Sequence, residues 1–307
     1  MRGVPGRLRG VEISAAPVSL IAAAGILAAG LFLVRPATAH PAVSLVVDSR
    51  GNVYFSDLQN VWVLRPDGTI EVAIAGVHTH ELWLGPGDVL YGEDVTNVGD
   101  DYRHRVWRRE PDGSLHDVIP WREGYPDDFH DYGFARDAAG NSYVLRRAER
   151  SIEVRDTSRQ LLRTVDLSPH AGFPHWLTVE PGGRVHAAVG SDLLRIDPGA
   201  AQAEVVATDL VERTGEFDWV HDRHALMGMW TDAAGTVYVS VYAGQVVKRV
   251  TDTGEVQIVA RSSAGWSPVG GRIAPDGSVW LLEWSGSNQV RVRRIGADGA
   301  ERIFEID

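Results

Sequence analysis

Short apolar runs alternate with polar turns along most of the chain, and one such pattern recurs six times. Each copy has branched or aromatic residues on both sides of a turn that contains glycine and an acidic residue. Glycine supplies the positive φ that such turns need, so each copy predicts a β-hairpin. Clear copies occupy residues 47–54, 136–143, 231–238 and 273–280, and more degenerate copies occupy 85–91 and 180–186.

A second hairpin follows the first in each unit, as residues 61–70 and 246–255 show. Each unit therefore has four strands in about 45 residues, the size of a propeller blade. The pattern predicts an all-β fold, a six-bladed β-propeller of four-stranded antiparallel blades. The predicted blades lie at about 43–76, 77–120, 131–169, 175–210, 224–262 and 267–307, and no linker-like tract divides residues 40–307.

The first 39 residues have the composition of a signal peptide. Arg2, Arg7 and Arg9 precede a nearly uncharged apolar run over 15–34, and Ala37-Thr38-Ala39 supplies a small-residue cleavage site. We expect an exported, periplasmic or extracellular protein. A retained membrane anchor is the alternative, because the apolar run approaches the length of a membrane span.

Charge and cysteine content exclude several partners and sites. Residues 1–39 carry four Arg and one Glu, so removal of their net +3 from the formal −11 leaves −14. Nucleic acid is therefore excluded as a partner, and a membrane is expected only if the N-terminal segment is retained. The chain has no cysteine, and so neither a disulfide nor a thiolate metal site. We expect a monomer.

Long connections are predicted on one face of the propeller only. In a blade, strands a to d run outward from the centre, so the d-to-a and b-to-c connections share one face, which we call the top face. The long connections are 96–103, 120–131 and 209–226, whereas the turns of the opposite face are short. Loops longer than their turn requires are commonly functional, so a small-molecule ligand or substrate is expected at the top of the central channel.

Histidines and carboxylates collect at the same face. Carboxylates end strand b in three blades, at Asp57, at Glu93 and Asp94, and at Glu283. Residues that enter strand a converge on the axis, where imidazole and carboxylate groups could bind a divalent metal ion such as Zn, Ca or Mg. The predicted metal ligands are His78, His80, His130, His175 and His224. Glu81, Tyr132 and Glu283 are the predicted proton-transfer residues.

The repeated D-x-x-G-x-V-Y/W turn and the P-D-G turns resemble those of the NHL-repeat, SMP-30/gluconolactonase and streptogramin-lyase group of six-bladed propellers. The resemblance covers nearly all of residues 43–307 and implies a lactonase, a lyase or a binding module. It implies no lactonase-type calcium site, because histidines replace its carboxylate and asparagines. His80 and His175 match the alternate-blade spacing of the zinc histidines in NHL-type amidating lyases. The segment 280–284 is similar to the W-F-T-E motif of streptogramin lyases, which makes Glu283 a catalytic candidate.

Two functions of different classes remain open. The first is a metal-dependent lyase or hydrolase that acts on a small molecule. The second is a non-catalytic propeller that presents its long-loop face to a ligand or protein. A quinoprotein-type redox enzyme is less favoured, because those propellers are usually larger. If His80 and His175 bind one metal ion, replacing either with alanine should remove it.

Overall fold

The architecture is described from a computed structural model, which covers residues 41–98, 101–124 and 135–306. These residues belong to one compact unit. The predicted signal peptide lies outside the described residues. No helix in the described part of the chain has the length and hydropathy of a membrane span.

The described chain forms six antiparallel sheets of four consecutive strands each, which confirms the predicted six-bladed propeller. Blade 1 contains β1 (Leu45–Val47), β2 (Val53–Ser56), β3 (Asn60–Leu64) and β4 (Ile70–Ala75). Blade 2 contains β5 (Leu82–Leu84), β6 (Leu90–Val98), β7 (Asp101–Arg109) and β8 (Leu115–Glu123). Blade 3 contains β9 (Ala135–Arg136), β10 (Ser142–Arg146), β11 (Ser151–Arg155) and β12 (Leu161–Asp166).

The second half of the ring repeats this arrangement. Blade 4 contains β13 (Pro174–Val179), β14 (Val185–Val189), β15 (Asp192–Ile196) and β16 (Glu204–Ala207). Blade 5 contains β17 (Leu226–Thr231), β18 (Val237–Val241), β19 (Val246–Val250) and β20 (Val256–Arg261). Blade 6 contains β21 (Trp266–Ile273), β22 (Val279–Ser285), β23 (Val290–Ile295) and β24 (Glu301–Glu305). At five of the six junctions between blades the first strands contact each other, so the first strands surround the centre of the ring.

The repeated turn motif is built on one hydrogen-bond pattern. In blade 1, Asp48 accepts hydrogen bonds from the backbone N–H of Arg50 and of Asn52, at 3.0 and 2.8 Å. The Tyr54 hydroxyl lies 3.5 Å from the same carboxylate. The pairs Asp137–Tyr143 and Asp232–Tyr238 repeat this contact at 3.1 and 3.3 Å. The spacing therefore recurs because one carboxylate both caps the turn and fixes the aromatic ring of strand b.

One of the three predicted long connections is a strand extension instead. Residues 96–103 were expected to form a loop, but β6 runs to Val98 and β7 begins at Asp101, with Thr96 paired to Arg103. A continuous antiparallel ladder satisfies the backbone polar groups of this segment without tertiary partners. The connection before β17 is a loop as predicted, with short 3₁₀ turns at Gly215–Phe217 and Asp222–His224. Most of the third predicted loop, 125–131, lies outside the described residues.

The ring closes between blades 1 and 6 without exchange of a strand. Instead, a buried hydrophobic cluster joins Val43 and Phe55 of blade 1 to Val269 and Trp284 of blade 6. The Val43 carbonyl oxygen lies 1.9 Å from the position that a Cβ atom on Gly270 would occupy, and 2.6 Å from that on Gly228. Glycine at both positions therefore lets the segment before β1 pack against the first strands of blades 5 and 6.

We expect Gly270→Ala to lower the free energy of unfolding by about 2–3 kcal/mol, because its Cβ would overlap the Val43 carbonyl and force backbone shifts. Urea denaturation of the purified protein measures this change. Gly182→Ala is the matched control, since no heavy atom lies within 4 Å of the added Cβ and its φ is not left-handed. Equal midpoints for the two variants would contradict this account of ring closure.

Candidate functional site

The top face between blades 1 and 2 brings two of the predicted histidines together. His78 and His80 lie in the connection from β4 to β5, and their ring centroids are 4.7 Å apart in an edge-to-face arrangement. The backbone N–H of Val43 donates to the His80 carbonyl oxygen at 3.0 Å. His80 is therefore held beside the segment that packs against the inner strands of blades 5 and 6.

A buried carboxylate orients His80. The Nδ1 atom of His80 lies 3.1 Å from Oε1 of Glu93, whose side chain is 11% exposed. Burial acts to raise the pKa of Glu93, but the hydrogen bond from His80 and the nearby His80 and His104 charges hold that pKa below its usual value. An ionised carboxylate only accepts hydrogen bonds, so in the neutral form of the imidazole Nδ1 carries the proton and Nε2 holds the lone pair. This tautomer gives His80 a basic nitrogen directed away from Glu93.

A cleft of about 500 Å³ opens beside this pair. Its lining includes His78, Asp94 and Trp121, together with backbone and side chains of Leu58–Asn60, Gly76–Val77 and Val95–Thr96. Asp94 accepts from the backbone N–H of His78 at 3.0 Å and pairs with Arg105 at 3.0 Å. The Arg105 guanidinium also lies 5.0 Å from the Trp121 ring centroid. These contacts fix the wall of the cleft on which His78 sits.

His78 is a neutral base at neutral pH. Burial, and secondly the neighbouring His80, lower the pKa of its imidazole. His78 and Asp94 therefore place an imidazole and a carboxylate on the wall of the cleft, beside the His80–Glu93 pair, and such groups are suited to proton transfer.

The predicted metal site has no counterpart among the described side chains. No three His, Asp or Glu groups of residues 41–98, 101–124 and 135–306 converge closely enough to hold a metal ion. His130 and Tyr132, predicted as ligand and proton-transfer residue, lie outside the described residues. The described donors alone therefore do not fit a divalent ion.

His175 lies between blades 4 and 5, apart from the His80–Glu93 pair. Its Nδ1 is 3.1 Å from the Arg223 carbonyl oxygen and its Nε2 is 3.0 Å from that of Gly190. A neutral imidazole carries one N–H, so one ring nitrogen donates to a carbonyl oxygen while a second carbonyl oxygen lies against the other nitrogen, and neither nitrogen is open to a metal ion. This geometry does not support the expected role of His175 as a metal ligand. His224 accepts a hydrogen bond from Arg223 Nε at its Nε2, at 2.9 Å.

Glu283 lies in a buried ion pair, whereas the sequence predicts a catalytic role for it. Its side chain is 0% exposed and pairs with Arg291 at 2.7 Å and Arg293 at 3.2 Å. Ser262 of the preceding blade donates to the same carboxylate at 2.6 Å. A carboxylate enclosed in this way joins blades 5 and 6 and offers no surface to a substrate. Glu81, the other described candidate, is half-buried directly before β5.

Sequence reasoning placed Glu93 on the top face but did not select it, and it missed Arg105. The pattern of charges along strands b and c does contain a signal for the Asp94–Arg105 pair. Asp94 lies in strand b and Arg105 lies opposite it on strand c, just as Glu283 lies opposite Arg291. The His80–Glu93 contact has no such signal, because it joins a loop to a strand 13 residues away.

Four partly or fully buried histidines make the fold sensitive to acid. The pKa values of His78, His175 and His186 are lowered by burial, and burial together with Arg223 lowers that of His224 to about 4. A lowered folded pKa contributes stability above the unfolded value of about 6.5, and this stability is lost as the pH falls toward the folded pKa. Each such group can change the free energy of unfolding by up to about 1.4 kcal/mol per pH unit.

We therefore expect the thermal midpoint to fall between pH 6.5 and about 4, before most surface carboxylates are protonated. Calorimetry across this range measures the loss. His186→Gln should reduce the slope, because it removes one titrating group that contacts Glu180 at 2.7 Å. A midpoint that stays constant down to pH 4.5 would contradict the assignment.

Part of the chain is similar to a known enzyme, and its fold is similar to those of several solved propellers. No family model matches the chain. A virginiamycin B lyase from Nocardia farcinica is 36% identical over 148 residues, which cover 40% of this chain and 52% of that enzyme. The match thus spans about half the length of the curated relative.

Solved structures agree on the fold. A streptogramin B lyase structure superposes with a TM-score of 0.54, at 14% identity, over 88% of this chain and 85% of that one. The chain shares its propeller fold with streptogramin B lyase. The catalytically inactive His-to-Ala variant of the Staphylococcus aureus virginiamycin B lyase, with quinupristin, matches with a TM-score of 0.53 at 14% identity, over 86% and 83% of the two chains. The calcium-binding protein regucalcin from Agrobacterium tumefaciens gives 0.51 at 12% identity, over 79% and 83%.

Proposed function

We propose that this propeller is a lyase that acts on a small molecule at the top face between blades 1 and 2, with His80 as the catalytic base. The observation that carries the proposal is the His80–Glu93 pair beside the cleft lined by His78 and Asp94. Similarity to the virginiamycin B lyase of Nocardia farcinica supports the reaction class. The inactive His-to-Ala variant of the S. aureus enzyme shows that a histidine is essential in that relative.

The proposed step is an elimination. Nε2 of His80 takes a proton from a substrate carbon, and the C–H electron pair forms a carbon–carbon double bond. The adjacent carbon–oxygen bond breaks, and the leaving oxygen keeps its electron pair. The imidazolium that forms is stabilised by the ionised Glu93, because this carboxylate is buried and within hydrogen-bond distance of Nδ1. His80, Glu93 and the substrate are the groups to which this step is assigned.

Product mass tests the reaction class. The purified protein is incubated with virginiamycin B, quinupristin and a panel of lactones and cyclic esters, and the products are analysed by mass spectrometry. Elimination within a ring gives an opened product isomeric with the substrate. Hydrolysis gives a product heavier by one water and would contradict the lyase proposal. Saturable binding with no turnover of any compound would instead favour the non-catalytic propeller.

Export and the monomeric state stay predictions. N-terminal sequencing of the mature protein should return His40 if the 1–39 segment is a cleaved signal peptide. Recovery of Met1 in the membrane fraction would instead favour the retained anchor.

A further inference from the structure

A second cluster of side chains lies on the top face at blades 3, 4 and 5, apart from the His80–Glu93 pair. Arg147 follows β10, Trp176 lies in β13, and Arg223 and His224 precede β17. These residues come from two connections and one strand of three different blades, so their proximity is a product of the ring. No step of the proposed elimination uses them.

Two contacts fix Arg147 in this cluster. Its guanidinium carbon lies 4.8 Å from the centroid of the Trp176 ring. Its Nη2 donates to the His175 carbonyl oxygen at 3.0 Å. A planar guanidinium held by stacking and hydrogen bonding loses little further freedom when it binds a planar or tetrahedral anion.

Arg223 is connected to the same cluster through three histidines. Its carbonyl oxygen lies 3.1 Å from His175 Nδ1, and its Nε donates to His224 Nε2 at 2.9 Å. Its backbone N–H donates to His221 Nδ1 at 3.2 Å. Both His221 and His224 thus accept from Arg223, so the positive charge of this segment resides on the guanidinium.

The cluster concentrates positive charge on a chain whose formal net charge is −11. Arg147 Nη2 donates to the His175 carbonyl oxygen, and the His175 ring contacts the Arg223 carbonyl oxygen, so both arginines lie against one residue. The carboxylate next in the chain, Asp222, pairs with Arg213 at 2.6 Å. Two arginines held against one histidine are a concentration of positive charge that an anion would relieve.

We propose that Arg147 and Arg223 form a binding site for an anionic group of a small molecule, a carboxylate or a phosphate, with Trp176 as the aromatic wall of the site. Guanidinium groups bind both anions through paired N–H donors. The local charge would also attract such ligands to an otherwise acidic protein. An anion site on this face further implies that the substrate carries an acidic group. This consequence rests on the proposed lyase function.

Anion titrations test this site without any substrate. Inorganic phosphate and acetate are titrated in parallel at constant ionic strength, and histidine ring signals in NMR spectra report binding. We expect phosphate or acetate to shift the His224 signals, and the tighter of the two identifies the class of anion. Arg147→Gln and Arg223→Gln should each weaken binding about tenfold or more, as loss of a charge-assisted hydrogen bond costs about 1.5–3 kcal/mol.

Arg50→Gln, in an exposed turn of the opposite face, is the matched control and should bind as the wild type does. Arg223 is exposed, so its replacement keeps the test valid if Arg147→Gln fails to fold. His80→Gln should retain anion binding, which separates this site from the catalytic proposal. No binding by the wild-type protein, or equal affinity in Arg223→Gln and Arg50→Gln, would overturn the anion site.

Discussion

Replacing His80 with glutamine should reduce kcat by about a hundredfold to ten-thousandfold, the usual contribution of a positioned base. Glutamine keeps a polar group near Glu93 but has no basic nitrogen. Although the His80 side chain is only 14% exposed, it belongs to a loop and glutamine preserves a polar contact with Glu93, so the free energy of unfolding should change by less than about 1.5 kcal/mol. Turnover of the substrate found by product analysis, together with urea denaturation, measures both quantities.

Glu93→Gln should also lower kcat, because the amide can present either a donor or an acceptor to Nδ1 and no longer fixes the tautomer of His80. The effect should appear in kcat more than in KM, since Glu93 lies behind the imidazole. His116→Asn is the matched control, because His116 is exposed on β8 and contacts only Ser114 among the described hydrogen bonds. Full activity in His80→Gln would refute its role as the base.

Removing the Glu283 carboxylate should have the largest effect on stability. Glu283→Ala leaves Arg291 and Arg293 buried without their shared counter-ion, and breaking such a pair costs about 3–5 kcal/mol. Urea denaturation followed by tryptophan fluorescence measures the loss. Glu283→Gln should be less destabilising, because the amide retains an acceptor oxygen for one arginine.

Glu301→Gln is the control for this prediction. Glu301 also pairs with Arg293, at 2.6 Å, but its side chain is 49% exposed. Exposed pairs contribute about 0–1 kcal/mol, so this variant should unfold within about 1 kcal/mol of the wild type. The opposite pattern, a Glu283→Gln protein as stable as the wild type but inactive, would restore the catalytic role expected from the W-F-T-E resemblance.

The candidate residues of the top face show where sequence reasoning succeeds and where it stops. The d-to-a connections place His78, His80, His175 and His224 on one face, and this follows from blade order alone. The hydrogen-bond partners of these histidines do not follow from blade order. Glu93 meets His80, and two carbonyl oxygens meet the His175 ring, through contacts whose geometry depends on the packing of neighbouring blades.

The amino-acid sequence by itself determined the blade. An aspartate that caps its own turn and holds a tyrosine six residues later is a local arrangement, so its repetition along the chain is visible in the residues and fixes four strands per unit. Only the tertiary structure decided which polar groups are paired, buried or exposed. A strand-b carboxylate becomes a buried counter-ion at Glu283 and a partner of the proposed base at Glu93. The difference arises because each depends on side chains from distant segments, and a repeat pattern does not encode those contacts.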